Sequence, residues 1–216
     1  EIGGPATKFT AANRIRGNHY EVHTATVLKE VEMYLDPPPG GMDYSFLVYE
    51  GTSPGTNLTL IHQSTNSTAE EDPGFYSSGR AHIILEPGKN YYIAMGWDDS
   101  YSTGYYAELD PAAPVDMGFA DINYSGGISN NWPPPNTYTV SASTSFWYYQ
   151  RVTTCDSGCF PSNVALVRDA ESWSEANTHV LENYSIPYSI IGSDQVGSTD
   201  FSAFDKIVIE SRQDDP

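Results

Sequence analysis

The sequence predicts a mainly β protein: an antiparallel, jelly-roll-like β-sandwich followed by a small, partial α/β unit of β-α-β-β order. Three observations predict it. About 150 residues of short apolar runs are broken by Gly, Pro, Asn and Asp, the pattern of successive short strands and turns. The pattern changes at Cys155-Asp-Ser-Gly-Cys159. Beyond it come a β-branched run, a capped helical stretch and two further apolar runs. The boundaries are a lead-in segment at 1–13, a sandwich at 14–153, a Cys-containing linker at 154–162 and the partial α/β unit at 163–216.

The lead-in is rich in Gly, Pro, Ala and Thr and reads as a linker or an edge strand. Residues 14–23 are the first strand of the sandwich. Residues 26–35 alternate, with Val27, Val31, Met33 and Leu35 on one face and Glu30, Glu32 and Tyr34 on the other. Pro37-Pro-Pro39 with Gly40 and Gly41 is a hard break. Strands follow at 44–50, 58–63 and 81–85, the last ending in the turn Glu86-Pro-Gly-Lys-Asn90. Residues 91–97 are the most apolar run and are expected at the centre of a sheet. Residues 105–109, 118–123 and a long stretch at 138–152 complete eight to ten strands.

In the second part, residues 163–167 form a strand. Ser172-Trp-Ser-Glu175 is a capping box, and Trp173, Ala176, Val180, Leu181 and Tyr184 recur at helical spacing until Pro187 stops the helix. Residues 188–191 and 206–210 are two more strands, an order that implies parallel pairing. The chain stops at Asp215-Pro216, before an α/β domain of ordinary size is complete.

Acidic residues outnumber basic ones 28 to 10, for a net charge of −18. Nucleic acid and anionic membranes both need Lys/Arg surfaces, so neither is expected as a partner. Solubility, cation binding and a salty medium all fit such a balance. No apolar run is long enough to span a membrane by a helix. Sixteen tyrosines and plentiful Ser, Thr and Asn suit the half-exposed strands of an exported protein, as does a first residue that is Glu rather than Met. Four N-x-S/T sequons, at Asn57, Asn66, Asn123 and Asn183, are glycosylation candidates and fall where loops or element ends are predicted.

Gly17-Asn-His-Tyr-Glu-Val22, residues 26–35, Phe46-Leu-Val-Tyr-Glu-Gly51, Gly74-Phe-Tyr-Ser-Ser-Gly79 and Leu85-Glu-Pro-Gly-Lys-Asn-Tyr-Tyr92 together resemble a β-sandwich repeat of large secreted microbial surface proteins. The resemblance covers about residues 10–152 and implies a surface or accessory module that brings no catalytic residues. Val164-Ala-Leu-Val-Arg-Asp169, with 200–210, resembles the opening of flavodoxin-like or glutamine-amidotransferase-like domains. The nucleophile of such a domain would fall beyond Pro216, so none is carried over.

Candidate sites are few. Cys155 and Cys159 are expected to form a local disulfide, since their spacing suits a tight loop and no histidine is near enough in sequence to complete a zinc site. Residues 99–110 have Asp, Gly and Asp at calcium-loop positions 1, 6 and 12, but Tyr101 and Thr103 stand at ligand positions and strands flank the loop. Asp98, Asp99, Asp110, Asp116 and Asp121 are therefore candidate Ca²⁺ ligands, with water-facing loop carboxylates as the alternative. His19 and His23 would share a strand face, a pair that lacks a third ligand. Trp132, Trp147 and Tyr148 could offer an aromatic surface for sugars or could pack in the core, and Trp97 is expected in the core. Asp169 ends the first α/β strand, where such folds bind ligands, and is read as a helix-cap partner. No P-loop, G-x-G-x-x-G, G-x-S-x-G or H-E-x-x-H motif occurs, and no nucleophile–base pair at recognisable spacing.

These readings favour a non-catalytic extracellular or cell-surface protein with a structural, adhesive or self-assembling role in a filament or layer. Its partners would be other copies of itself, joined through open strand edges or through residues 2–10, or other surface proteins. A carbohydrate-binding module of a secreted hydrolase and a non-catalytic fragment of a larger secreted enzyme are the two alternatives.

Overall fold

The most apolar run of the sequence forms the middle of the larger of two antiparallel sheets. The structure, a computed structural model, describes residues 1–156, 163–169, 176–183 and 186–210. The chain divides into two compact units, Glu1–Asp156 and Ser157–Pro216. In the first, β1 (Thr7–Ala11), β2 (Arg14–Val22), β3 (Thr26–Asp36), β4 (Met42–Gly51) and β5 (Asn57–Thr68) lead into β6 (Gly74–Ser77), β7 (Ile83–Leu85) and β8 (Asn90–Trp97). Then come β9 (Thr103–Leu109), β10 (Val115–Asp116), β11 (Ala120–Ser129), β12 (Thr137–Thr139), β13 (Ser141–Ser143), β14 (Phe146–Tyr148) and β15 (Gln150–Asp156).

One sheet has the order β10-β11-β2-β8-β4-β5-β12, with β13 beside β11. Every residue of its central strand β8 is buried, as the run 91–97 predicts. The other sheet runs β1-β9-β3-β15, with β14 beside β9 and both β6 and β7 beside β3. A shared core includes Tyr20, Phe46, Ile93 and Trp97 from the first sheet and Leu28, Val31, Met33, Leu35 and Trp147 from the second. Burying each such side chain contributes about 1.5–3 kcal/mol. This is the antiparallel sandwich that the alternating runs predict.

A polar clamp crosses that core. Asn18 on β2 donates from Nδ2 to the Tyr148 carbonyl (2.9 Å) and to Gln150 Oε1 (2.8 Å), while its Oδ1 accepts from Tyr148 N–H (3.0 Å). Gln150 in turn donates from Nε2 to the Ile93 carbonyl (3.2 Å). Every amide end of this pair is engaged, so the cost of burying it is offset.

Four sequence expectations shift. In β3 the inward face holds Leu28 rather than Val27, because the β3–β15 register slips between Thr153 and Thr154. A bulge adds one residue and reverses the facing of everything beyond it. The long strand expected at 138–152 is four short ones, because successive pieces pair with different strands: β12 with β5, β13 with β11, β14 with β9 and β15 with β3. The two Pro runs lie outside strands, though Pro37 is buried. Residues 1–11 are already used within their own chain. Ile2 is 2% exposed and bridges Gln150, and β1 pairs with β9.

Residues 130–145 cross the outer face of the larger sheet and close a second apolar cluster there. It comprises Ile15, Leu47, Tyr49, Leu58, Tyr92, Ala94, Ile128 and Val140, with Trp132 and Tyr138 packed against it. The close approach requires small residues beneath. A Cβ on Gly126 would meet Val140 Cγ1 at 2.5 Å.

The second unit holds β16 (Val164–Val167), helix α1 (Ala176–Asn183), β17 (Tyr188–Ile191) and β18 (Lys206–Ile209). Both β17 and β18 pair parallel with β16, which lies between them. Val164, Ala165 and Leu166 are buried. In α1, Thr178 is buried, Leu181 is half-buried and Val180 is 52% exposed. Trp173, Tyr184 and the expected capping box at 172–175 lie outside the described residues.

Candidate functional site

The candidate calcium ligands separate. Asp98 and Asp99 follow β8 and precede β9, whereas Asp110 follows β9, so a whole strand of seven residues lies between them. Asp98 Oδ1 accepts from Ser100 N–H (2.8 Å), which is an ordinary loop role. Most of the 99–110 stretch is therefore strand β9 rather than a loop, in keeping with the flanking strands noted in the sequence.

The other two carboxylates meet. Asp116 and Asp121 stand opposite each other in the β10–β11 pairing, joined by a tight turn in which Gly118 has φ +82. Asp116 Oδ1 accepts from Gly118 N–H (2.6 Å). His23 joins them because it follows β2, the neighbour of β11. Its N–H and that of Thr24 both donate to the Phe119 carbonyl, at 3.0 and 3.1 Å. His23, Asp116 and Asp121 thus bring ligand atoms within 4.8 Å of one another, the only such His/Cys/Asp/Glu group among the described residues.

His19 does not share this site. It is fully buried, with Nδ1 2.8 Å from Asn90 Oδ1 and its ring 4.9 Å from that of Tyr92. Burial holds its pKa down to about 4, so the ring is neutral at pH 7. Beside this pair lies a cleft of about 420 Å³, lined by Glu21, His23, Lys89, Asn90 and Asp121 among others.

The aromatic candidates are placed elsewhere than a sugar platform needs. Trp147 and Tyr148 are 1% and 3% exposed and belong to the core, as Trp97 does. Trp132 is half-buried on the second apolar cluster. The half-exposed aromatic residues instead cluster on β3, β6, β9 and the residue before β15. Tyr34 packs edge-on against Phe75 and Tyr106 and stacks on Tyr149, at 5.1–5.2 Å between centroids. The Arg151 guanidinium lies 3.6 Å over Phe75 and is paired with Glu1. Period-2 alternation in β3 already puts Tyr34 outward, but its partners come from strands distant in sequence.

Among the sequons, Asn57 is exposed at the start of β5. Asn66 and Asn123 lie inside β5 and β11 rather than in loops, and their amide nitrogens donate to the Ser77 carbonyl and to Glu21. Asn183 is the last residue of α1. Cys155 lies in β15, and Cys159 lies outside the described residues.

In the second unit, Asp169 follows β16, and the start of the helix it was expected to cap lies outside the described residues. Its Oδ1 accepts from Ser193 N–H (2.6 Å), which pins the turn after β17 and lowers its pKa. Arg168 and Glu210, at the carboxyl ends of β16 and β18, form an ion pair at 3.5 Å whose side chains are 7% and 0% exposed. Asn177 Nδ2 donates to Glu210 Oε1 (2.8 Å). Beyond this pair the unit leaves apolar side chains uncovered. Ile190, Ile207 and Ile209 are 48%, 50% and 75% exposed.

No protein-family model matches the chain, and no curated protein matches it.

Proposed function

We propose that the chain is a non-catalytic extracellular surface protein that assembles with copies of itself. The observation that carries this reading is the exposed apolar strand β18. It is an edge of its parallel sheet and leaves Ile207 and Ile209 in water. Parallel sheets are ordinarily covered on both faces, and an open edge is a template for another strand. The acidic balance, the Tyr- and Thr-rich strands and the likeness to surface-protein sandwiches favour the same reading. A disulfide between Cys155 and Cys159 would suit an exported chain. The sheet edges and apolar strand would serve in a filament, a layer or an adhesive contact. Negative-stain electron microscopy and light scattering of the pure chain test this. Filaments or large regular oligomers are expected, and a lone 23.7 kDa particle at every concentration would sink it.

A second reading, carbohydrate binding, draws on the half-exposed cluster of Tyr34, Phe75, Tyr106 and Tyr149. Aromatic faces stack on sugar C–H surfaces, and such a patch on an otherwise polar strand face suits that chemistry. Retention on insoluble polysaccharides, lost in Tyr106→Ala, would favour it over assembly.

A further inference from the structure

We propose that His23, Asp116 and Asp121 bind one divalent transition-metal ion, with an open coordination position facing the cleft beside them. Their ligand atoms already lie within 4.8 Å of one another. Donors on one zinc-sized ion stand about 2.0–2.2 Å from it, so small side-chain rotations close the set. The backbone is prepared for this. The turn between β10 and β11 is tied to the end of β2 through the Phe119 carbonyl, and the Thr24 hydroxyl lies 3.2 Å from His23 Nδ1.

The placement of the carboxylates calls for a cation. Asp116 and Asp121 are cross-strand partners, and like charges directly opposite are destabilising. Asp116 commits Oδ1 to Gly118 N–H, which leaves its second oxygen for an ion.

An independent observation lies in the cleft of about 420 Å³ that His23 and Asp121 share with Asn90. Asn90 is 1% exposed, and its Nδ2 has no hydrogen-bond partner among the described residues. A buried donor left unpaired is expensive. An oxygen ligand on the metal, whether water, a carboxylate or a sugar hydroxyl, would give that donor an acceptor. Three protein ligands with one open position is the arrangement of zinc sites that exchange a ligand. The mixed imidazole–carboxylate set selects Zn²⁺ or its neighbours over Ca²⁺, which takes six to eight oxygens.

Isothermal titration of the chelator-treated full chain with Zn²⁺, Mn²⁺ and Ca²⁺ tests the proposal. One Zn²⁺ per chain is expected, bound at least about a hundredfold more tightly than Ca²⁺. His23→Ala and Asp121→Asn should each weaken Zn²⁺ at least about tenfold, while Asp99→Asn leaves it unchanged. His23 and Asp99 are exposed and Asp121 is half-buried, and the thermal melt of each metal-free variant checks that it is folded. A Co²⁺ complex whose visible spectrum disappears in His23→Ala would support the same ligand set. Absence of Zn²⁺ binding, a preference for Ca²⁺, or Zn²⁺ affinity unaltered by His23→Ala would overturn it.

Discussion

The indole of Trp132 lies over Gly96 on the central strand: a Cβ at residue 96 would stand 3.0 Å from the ring and 2.8 Å from Ile15 Cγ1. The absence of a side chain there is what lets residues 130–145 close the second apolar cluster on the sheet's outer face. Gly96→Ala should therefore destabilise the first unit by about 1–3 kcal/mol through overpacking. Trp132→Ala should do so by about 2 kcal/mol through the lost packing. Urea midpoints of both variants check this, and an unchanged midpoint in both would remove the structural role of the crossing segment.

Acid should weaken the protein through His19. Its folded pKa, about 4, lies below the ordinary 6.5 because burial disfavours the imidazolium. Between these values the unfolded chain binds a proton that the folded chain does not. Stability is thus unaffected by this group above pH 6.5 and falls as the pH drops from 6.5 toward 4, by up to about 3 kcal/mol. His62 and His82, also lowered by burial, act in the same direction. Equilibrium unfolding of the native chain and of His19→Gln across this range should show a shallower pH dependence in the variant. Parallel curves would contradict the assignment.

Cys155 and Cys159 are expected to be joined. The ring would close only five residues, so its effect on stability should be about 2 kcal/mol. Unreduced peptide mapping should find the cross-link, and two alkylated thiols under non-reducing conditions would show the expectation wrong.

The two units should differ in independence. Residues 1–156 carry the sandwich core and the Asn18–Gln150 clamp within themselves. Residues 157–216 leave Val180, Ile190, Ile207 and Ile209 uncovered, and so short a piece buries too little surface to offset chain entropy. Expressed alone, the first piece should melt cooperatively, while the second should be unfolded or aggregated. A dispersed NMR spectrum from the second as a monomer would refute this.

The strands were legible wherever alternation or an unbroken apolar run marked them, as in β3 and β8. The bulge within β3 was not, because one extra residue changes the facing without changing the composition. The burial of Trp132 and Trp147 was equally hidden. An aromatic residue in a Pro-rich or Tyr-rich stretch reads alike whether it faces water or a neighbouring strand. The grouping of His23 with Asp116 and Asp121 needed the β2–β11 pairing, which joins residues almost 100 apart. Asp116 and Asp121 were visible as carboxylates, but nothing local separated them from Asp98, Asp99 and Asp110. The exposed apolar residues of β18 were foreseeable, since Ile207-Val208-Ile209 offers apolar side chains to both faces of a sheet that has, among the described residues, one short α-helix.

Self-association through β18 is tested most directly by sedimentation velocity of the full chain and of Ile209→Lys over a wide concentration range. Ile209 is 75% exposed, so a charge there should leave the fold intact while disfavouring the contact. The native chain should sediment as a large, concentration-dependent species and the variant as a 23.7 kDa monomer. A native chain that stays monomeric throughout, or assemblies that form equally well with Lys at this position, would contradict the account.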